Sequence, residues 1–152
     1  MKMLIAAALA VPAATLTGDK AQVIAAHEVR AQLAQLVPLA AAKDSSSATL
    51  ASYGNLALML SVRTASGGGE IHQHFDDLMI VQQGSATLVT GGTLTDPKTE
   101  PNGEIRGTSV QNGTSQAITV GDIVIVPAGV PHQLLVPSGT TYSALVAKIK
   151  EP

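Results

Sequence analysis

Gly121-Asp122-Ile123-Val124-Ile125-Val126-Pro127-Ala128-Gly129-Val130-Pro131-His132 is the stretch on which the fold turns. Ile123 to Val126 are all β-branched, a composition that suits a pleated strand. Pro127-Ala128-Gly129 follows with one residue of fixed φ and one free to take positive φ, which is turn chemistry. His132 then opens a second apolar run, Gln133 to Val136, so a strand ends in a tight turn and a histidine heads the next strand.

The same punctuation recurs on both sides. Leu56 to Val62, Leu78 to Gln82, Ala86 to Thr90, Ile105 to Val110 and Tyr142 to Ile149 are short runs rich in β-branched and apolar residues. Gly67-Gly68-Gly69, Gly84, Gly91-Gly92, Pro101-Asn102-Gly103, Asn112-Gly113 and Pro137-Ser138-Gly139 separate them. Many short strands at this spacing predict an all-β, antiparallel sandwich or barrel.

Upstream lies Gly69-Glu70-Ile71-His72-Gln73-His74-Phe75-Asp76-Asp77. Side chains at i and i+2 of a strand share a face, so His72 and His74 are expected to project together, which is metal-ligand spacing for a strand. Glu70 has the same parity. It reads either as a catalytic general acid or base, or an orienter of a ligating histidine, or else as a solvent-facing residue at the strand's entry. The chain has no cysteine, so any metal is held by nitrogen and oxygen.

These two segments resemble the motifs of the cupin superfamily, G-x5-H-x-H-x3,4-E-x6-G and G-x5-P-x-G-x2-H-x3-N. Gly121 to His132 follows the second motif. In the first, His72 and His74 match the histidine pair, and counting back from Gly84 puts Asp77 at the glutamate position. Two residues, Phe75 and Asp76, intervene between His74 and Asp77 where the family has three or four. The leading glycine falls one place late, at Gly67, and Val136 takes the place of the final asparagine.

The resemblance implies an antiparallel cupin-type β-barrel, a double-stranded β-helix or jelly roll, over residues 50–152. It implies one divalent transition metal ion held by His72, His74, His132 and Asp77, with Asp76 as the alternative carboxylate. Mn, Fe, Co, Ni, Cu and Zn all suit such a set. Phe75, Met79, Val81, Leu134 and Val136 are expected to line a substrate pocket beside it, or to serve as plain barrel core. The stretch Asp96 to Asn112 is an insertion relative to the family, expected as a lid or extra hairpin. Within it Glu104 and Arg106 read as residues meeting a polar substrate or as a solvated surface pair.

The N-terminal third is different. Residues 1–14 read as an export signal, with Lys2 before an apolar run from Met3 to Val11 and small residues near Ala13 and Ala14. Periplasmic or secreted location follows as an expectation, with no membrane association once the signal is removed. Residues 15–49 are expected to hold one amphipathic helix, from about Gln22 to Leu36 and stopped by Pro38, and then a linker from Ala40 to Thr49. His27 within that helix reads as an ordinary surface or packing histidine.

The functional expectation is a metal-dependent cupin acting on a small organic molecule, with oxygen-dependent, dioxygenase-like oxidoreduction as the first reaction class to try. The competing expectation is a non-catalytic cupin module that binds a small ligand or a metal. A net charge of −2 offers no footprint for nucleic acid. A homodimer is a further expectation, since an exposed strand edge needs cover.

Overall fold

A computed structural model describes residues 14–15 and 20–152 of the chain. The leader reading therefore lies outside the described residues except at Ala14. Fourteen strands and one helix follow in chain order: β1 (Ala14–Thr15), α1 (Ala26–Lys43), β2 (Ser45–Tyr53), β3 (Leu56–Arg63), β4 (Gly69–His72), β5 (Phe75–Gln83), β6 (Ser85–Thr90) and β7 (Thr93–Leu94). Then come β8 (Lys98–Glu100), β9 (Glu104–Gly107), β10 (Val110–Gln111), β11 (Thr114–Thr119), β12 (Ile123–Val126), β13 (His132–Leu135) and β14 (Tyr142–Lys150).

Two six-stranded sheets face each other, in the orders β1-β2-β3-β14-β5-β12 and β11-β6-β13-β4-β9-β8. Apart from β1 with β2, the described pairings are antiparallel. The core between the sheets comes from alternate residues of many strands: Met79 and Val81 of β5, Leu88 of β6, Val124 and Val126 of β12, Tyr142, Ala144 and Val146 of β14. Alternation is what a sheet with one dry face requires.

The helix differs from expectation at both ends. It begins at Ala26, where the Ala25 backbone N–H donates to the Glu28 carboxylate at 2.8 Å. It also runs through Pro38 to Lys43 instead of stopping. A proline inside a helix costs about 3 kcal/mol. Leu36 and Ala40 on either side of it are buried against Leu60 and Val62 of β3, and burying each large side chain returns about 1.5–3 kcal/mol. Tertiary packing therefore carries the helix across the break.

The expected linker is likewise corrected: Ala40 to Lys43 close the helix and Ser45 to Thr49 already belong to β2. That strand is held by its pairing with β3, and Ser46 Oγ donates to the Leu36 carbonyl at 2.7 Å. Pairing overrides the weak strand propensity of its serines and alanines. The helix thus covers the outer side of β3, whose Leu60 and Val62 face it. By alternation Met59, Ser61 and Arg63 of the same strand face the barrel interior.

The stretch Asp96 to Asn112 forms an extra hairpin. Its strands β8 and β9, joined by the turn Pro101–Gly103, extend the second sheet beyond β4.

Candidate metal centre

Register builds the site. On the second sheet Glu70 of β4 lies between Arg106 of β9 and His132 of β13, and His72 lies opposite Glu104. On the first sheet Asp77 of β5 lies between Val126 of β12 and Lys148 of β14. Alternation turns Glu70, His72, Asp77, Arg106, His132 and Lys148 into one cavity of about 190 Å³, whose wall also includes Ser61, Arg63, Met79 and Leu134.

Glu70, His72 and His132 each offer a ligand atom, all within 4.8 Å of one another. The two imidazole rings are 5.1 Å apart between centroids and tilted by 58°. His72 Nε2 is 3.2 Å from Asp77 Oδ2, and His132 Nε2 is 3.6 Å from Glu70 Oε1. His72, His132 and Asp77 are buried.

The outer ring nitrogens are tied down. His72 Nδ1–H donates to both oxygens of the Glu104 carboxylate, at 2.7 and 2.8 Å, and His132 Nδ1–H donates to the Val130 carbonyl at 3.1 Å. Both rings thus turn Nε2 inward, where it faces a carboxylate and becomes a ligand once its proton leaves, the orientation a metal-ligating histidine needs. Two ligand atoms at about 2.1 Å from one ion and at right angles are about 3.0 Å apart, close to the 3.2 and 3.6 Å separations here. The residues present fit a divalent ion.

Cations steady the carboxylates. Arg106 pairs with Glu70 and reaches Glu104 at 3.1 Å, and Lys148 Nζ donates to Asp77 Oδ1 at 3.0 Å. Burial pushes Glu70 up, yet hydrogen bonding and charge from His132, with Arg106 and His72, outweigh it and hold the carboxyl at about 2. Burial opposes ionisation of Asp77 as well, but bonds and charge from His72 and Lys148 hold it below the usual carboxylate range. His72 is pulled down by burial and raised, on balance, by the Asp77 hydrogen bond and charge.

His74 is not in the cluster, which corrects its place in the expected ligand set. β4 ends at His72, the chain bends at Gln73 and His74, and strand parity is lost there. Gln73 N–H donates to the Gly103 carbonyl at 2.9 Å, and the exposed His74 ring lies over the Pro101–Gly103 turn. A Cβ at Gly103 would come within 2.5 Å of that ring.

Glu70 occupies the place expected for the missing histidine. Sliding the first motif back two residues puts Glu70 and His72 at the histidine pair and leaves four residues before Asp77, within the family's spacing. The short gap after His74 was the signal for this. Asp76 turns away and accepts from the Ala128 N–H at 2.7 Å.

Of the expected pocket residues, Met79 and Leu134 line the cavity. Val81 and Val136 lie in the core, and Phe75 lies half-buried with Lys148 Nζ 5.9 Å from its ring centre. Glu104, Arg106 and Lys148 enter the site by pairing across strands. His27 is exposed, as its reading expected.

Solved structures with the same architecture include the cupin domain of Schizosaccharomyces pombe Cnp3, 11% identical with a TM-score of 0.53 over 70% of this chain and 61% of that one. The fold is that of a cupin. The chain is also similar to the polyketide cyclase RemF from Streptomyces resistomycificus, at 19% identity and a TM-score of 0.52 over 72% of this chain and 69% of that one. The DMSP lyase DddQ from Ruegeria pomeroyi aligns at 16% identity and a TM-score of 0.51, over 70% of this chain but about half, 47%, of the lyase. No family model matches the chain's sequence, and no curated protein matches it.

Proposed function

We propose that this cupin is a metal-dependent enzyme acting on a small organic molecule, with oxygen-dependent oxidation as its reaction class. The observation that carries the reading is the convergence of Glu70, His72 and His132 in one cavity. Two histidines and one carboxylate with open positions form the ligand pattern of non-haem iron oxygenases, and Asp77 stands beside them as a fourth donor. A bound ion would act as Lewis acid and template for a chelating oxygen group.

The chain's own residues do the rest. Glu104 fixes the tautomer of His72, and the Val130 carbonyl fixes that of His132. Met79 and Val146 from one sheet and Leu134 from the other keep part of the cavity apolar, and a space of about 190 Å³ has room for about six waters' worth of ligand. Enzymes are among the proteins that share the fold, which supports catalysis as one use of this barrel.

The test is elemental analysis of chain purified without chelators, followed by oxygen uptake over a panel of small acids and alcohols. About one equivalent of iron or manganese, absent from His72→Ala and His132→Ala, together with substrate-dependent oxygen uptake is the expected result. Tightly bound zinc without oxygen consumption overturns the oxidation reading. A chain that takes up no metal overturns the metal centre.

A second reading has its own observation. Arg106 on Glu70 and Lys148 on Asp77 already offset both carboxylates, so the cluster is electrostatically balanced without an ion. A non-catalytic module binding a small ligand fits that balance. Saturable thermal stabilisation by a ligand that is never turned over favours this reading over the first.

A further inference from the structure

We infer that Arg63 is the anion anchor of the cavity, and that the molecule held there carries a carboxylate. The inference deepens the metal-dependent reading and names its substrate class, but the role of Arg63 stands on separate observations.

Three cationic side chains reach the cavity wall: Arg63, Arg106 and Lys148. Two are engaged, Arg106 by Glu70 and Glu104 and Lys148 by Asp77. Arg63 makes no ion pair among the described residues, although it is half-buried at the inward-facing end of β3. Keeping a guanidinium partly out of water without a counter-charge is unfavourable, and its planar fork matches a carboxylate with two parallel hydrogen bonds.

The loop before β4 leaves room for it. A Cβ at Gly67 would come within 2.6 Å of the Arg63 guanidinium, so the missing side chain lets the fork lie against this loop. On the same sheet as Arg63, Ser61 and Ser47 offer hydroxyls and Met79 and Val146 an apolar surface, and Leu134 faces them from the second sheet. Charge agrees with this assignment. Arg63, Arg106 and Lys148 balance Glu70, Asp77 and Glu104, so a divalent ion leaves two positive charges for an anionic ligand to offset.

The experiment is calorimetric titration of the full chain, with and without added Mn(II), using glycolate, pyruvate and malonate and the uncharged amides of the first two. At least one acid binds saturably, and an amide binds about tenfold or more weakly than its acid. Arg63→Gln weakens acid binding by about tenfold to a hundredfold and leaves both amide binding and Mn(II) content unchanged.

Equal binding of acid and amide, wild-type acid binding in R63Q, or no acid bound below about 10 mM overturns the inference. If R63Q does not fold, Gly67→Ala serves in its place by crowding the guanidinium without removing it, and weaker acid binding with unchanged amide binding is again expected. The two readings fail separately. A chain that takes no Mn(II) yet binds an acid through Arg63 upholds the anchor and defeats the metal centre, whereas Mn(II) uptake with acid binding indifferent to Arg63 does the reverse.

Discussion

His72 and Glu104 face each other across the register of β4 and β9, and both oxygens of the glutamate accept from the one Nδ1–H, at 2.7 and 2.8 Å. Carboxylates in this position raise the basicity of a ligating histidine and fix its orientation. Glu104→Gln is expected to weaken Mn(II) binding about 10–100-fold while the far-ultraviolet circular dichroism stays that of wild type. Competition against a chromophoric chelator measures this; an unchanged affinity would show that Glu104 does not support the ligand.

The bend after β4 separates two histidines that the sequence puts side by side. His74→Ala is expected to keep full metal content and to shift stability by less than about 0.5 kcal/mol, because the ring is exposed. His72→Ala, by contrast, is expected to bind no metal at low micromolar concentration. Loss of metal from H74A would restore the histidine pair as the ligand set.

Tyr142 is 1% exposed, and its hydroxyl has no hydrogen-bond partner among the described residues. Burial pushes this phenol up from 10.0 to about 12, with Arg63 pulling slightly the other way. Between those values the folded chain keeps a proton that the unfolded chain has lost, so stability falls as pH rises from 10 to about 12 and is unaffected below 10. The loss amounts to about 2–3 kcal/mol. Urea midpoints at pH 8 and pH 11.5 should reveal a steeper alkaline decline in wild type than in Tyr142→Phe. Parallel declines would count against it.

Pro38 lies inside a helix that packing alone carries past it. Pro38→Ala is expected to stabilise the chain by about 1–3 kcal/mol, the upper end being the full cost of the proline and the reduction coming from a freer unfolded chain. A urea midpoint that falls on this substitution would mean the ring makes contacts worth more than the helical hydrogen bond it removes.

The strands that were legible in sequence are those whose state is decided locally. Ile123 to Val126, all β-branched, and the largely apolar Tyr142 to Ile149 are bounded by turn residues, and the structure has strands there. β2 was illegible because Ser45 to Ser52 have little preference of their own and become a strand by pairing with β3. The helix end was misread for a related reason, as Leu36 and Ala40 are buried on residues that follow far along the chain.

The candidate site divides in the same way. His132, His72 and the parity of Glu70 follow from short segments, so they could be read directly. His74 was assigned by extending that parity through a bend, and the bend is made by Gly103 accepting from Gln73. Glu104, Arg106 and Lys148 have no local signature beyond charges on strands. Their roles exist once β9 lies beside β4 and β14 beside β5.

The β8–β9 hairpin sits at the margin of its sheet, yet it delivers Glu104 and Arg106 to the cluster. Donor atoms and the groups that adjust them are therefore written in separable stretches of gene. Exchange of the appendage would replace the carboxylate behind His72 and the cation beside Glu70 while β4 and β13, which carry the two imidazoles, keep their own pairing, a way to retune one scaffold without rebuilding it.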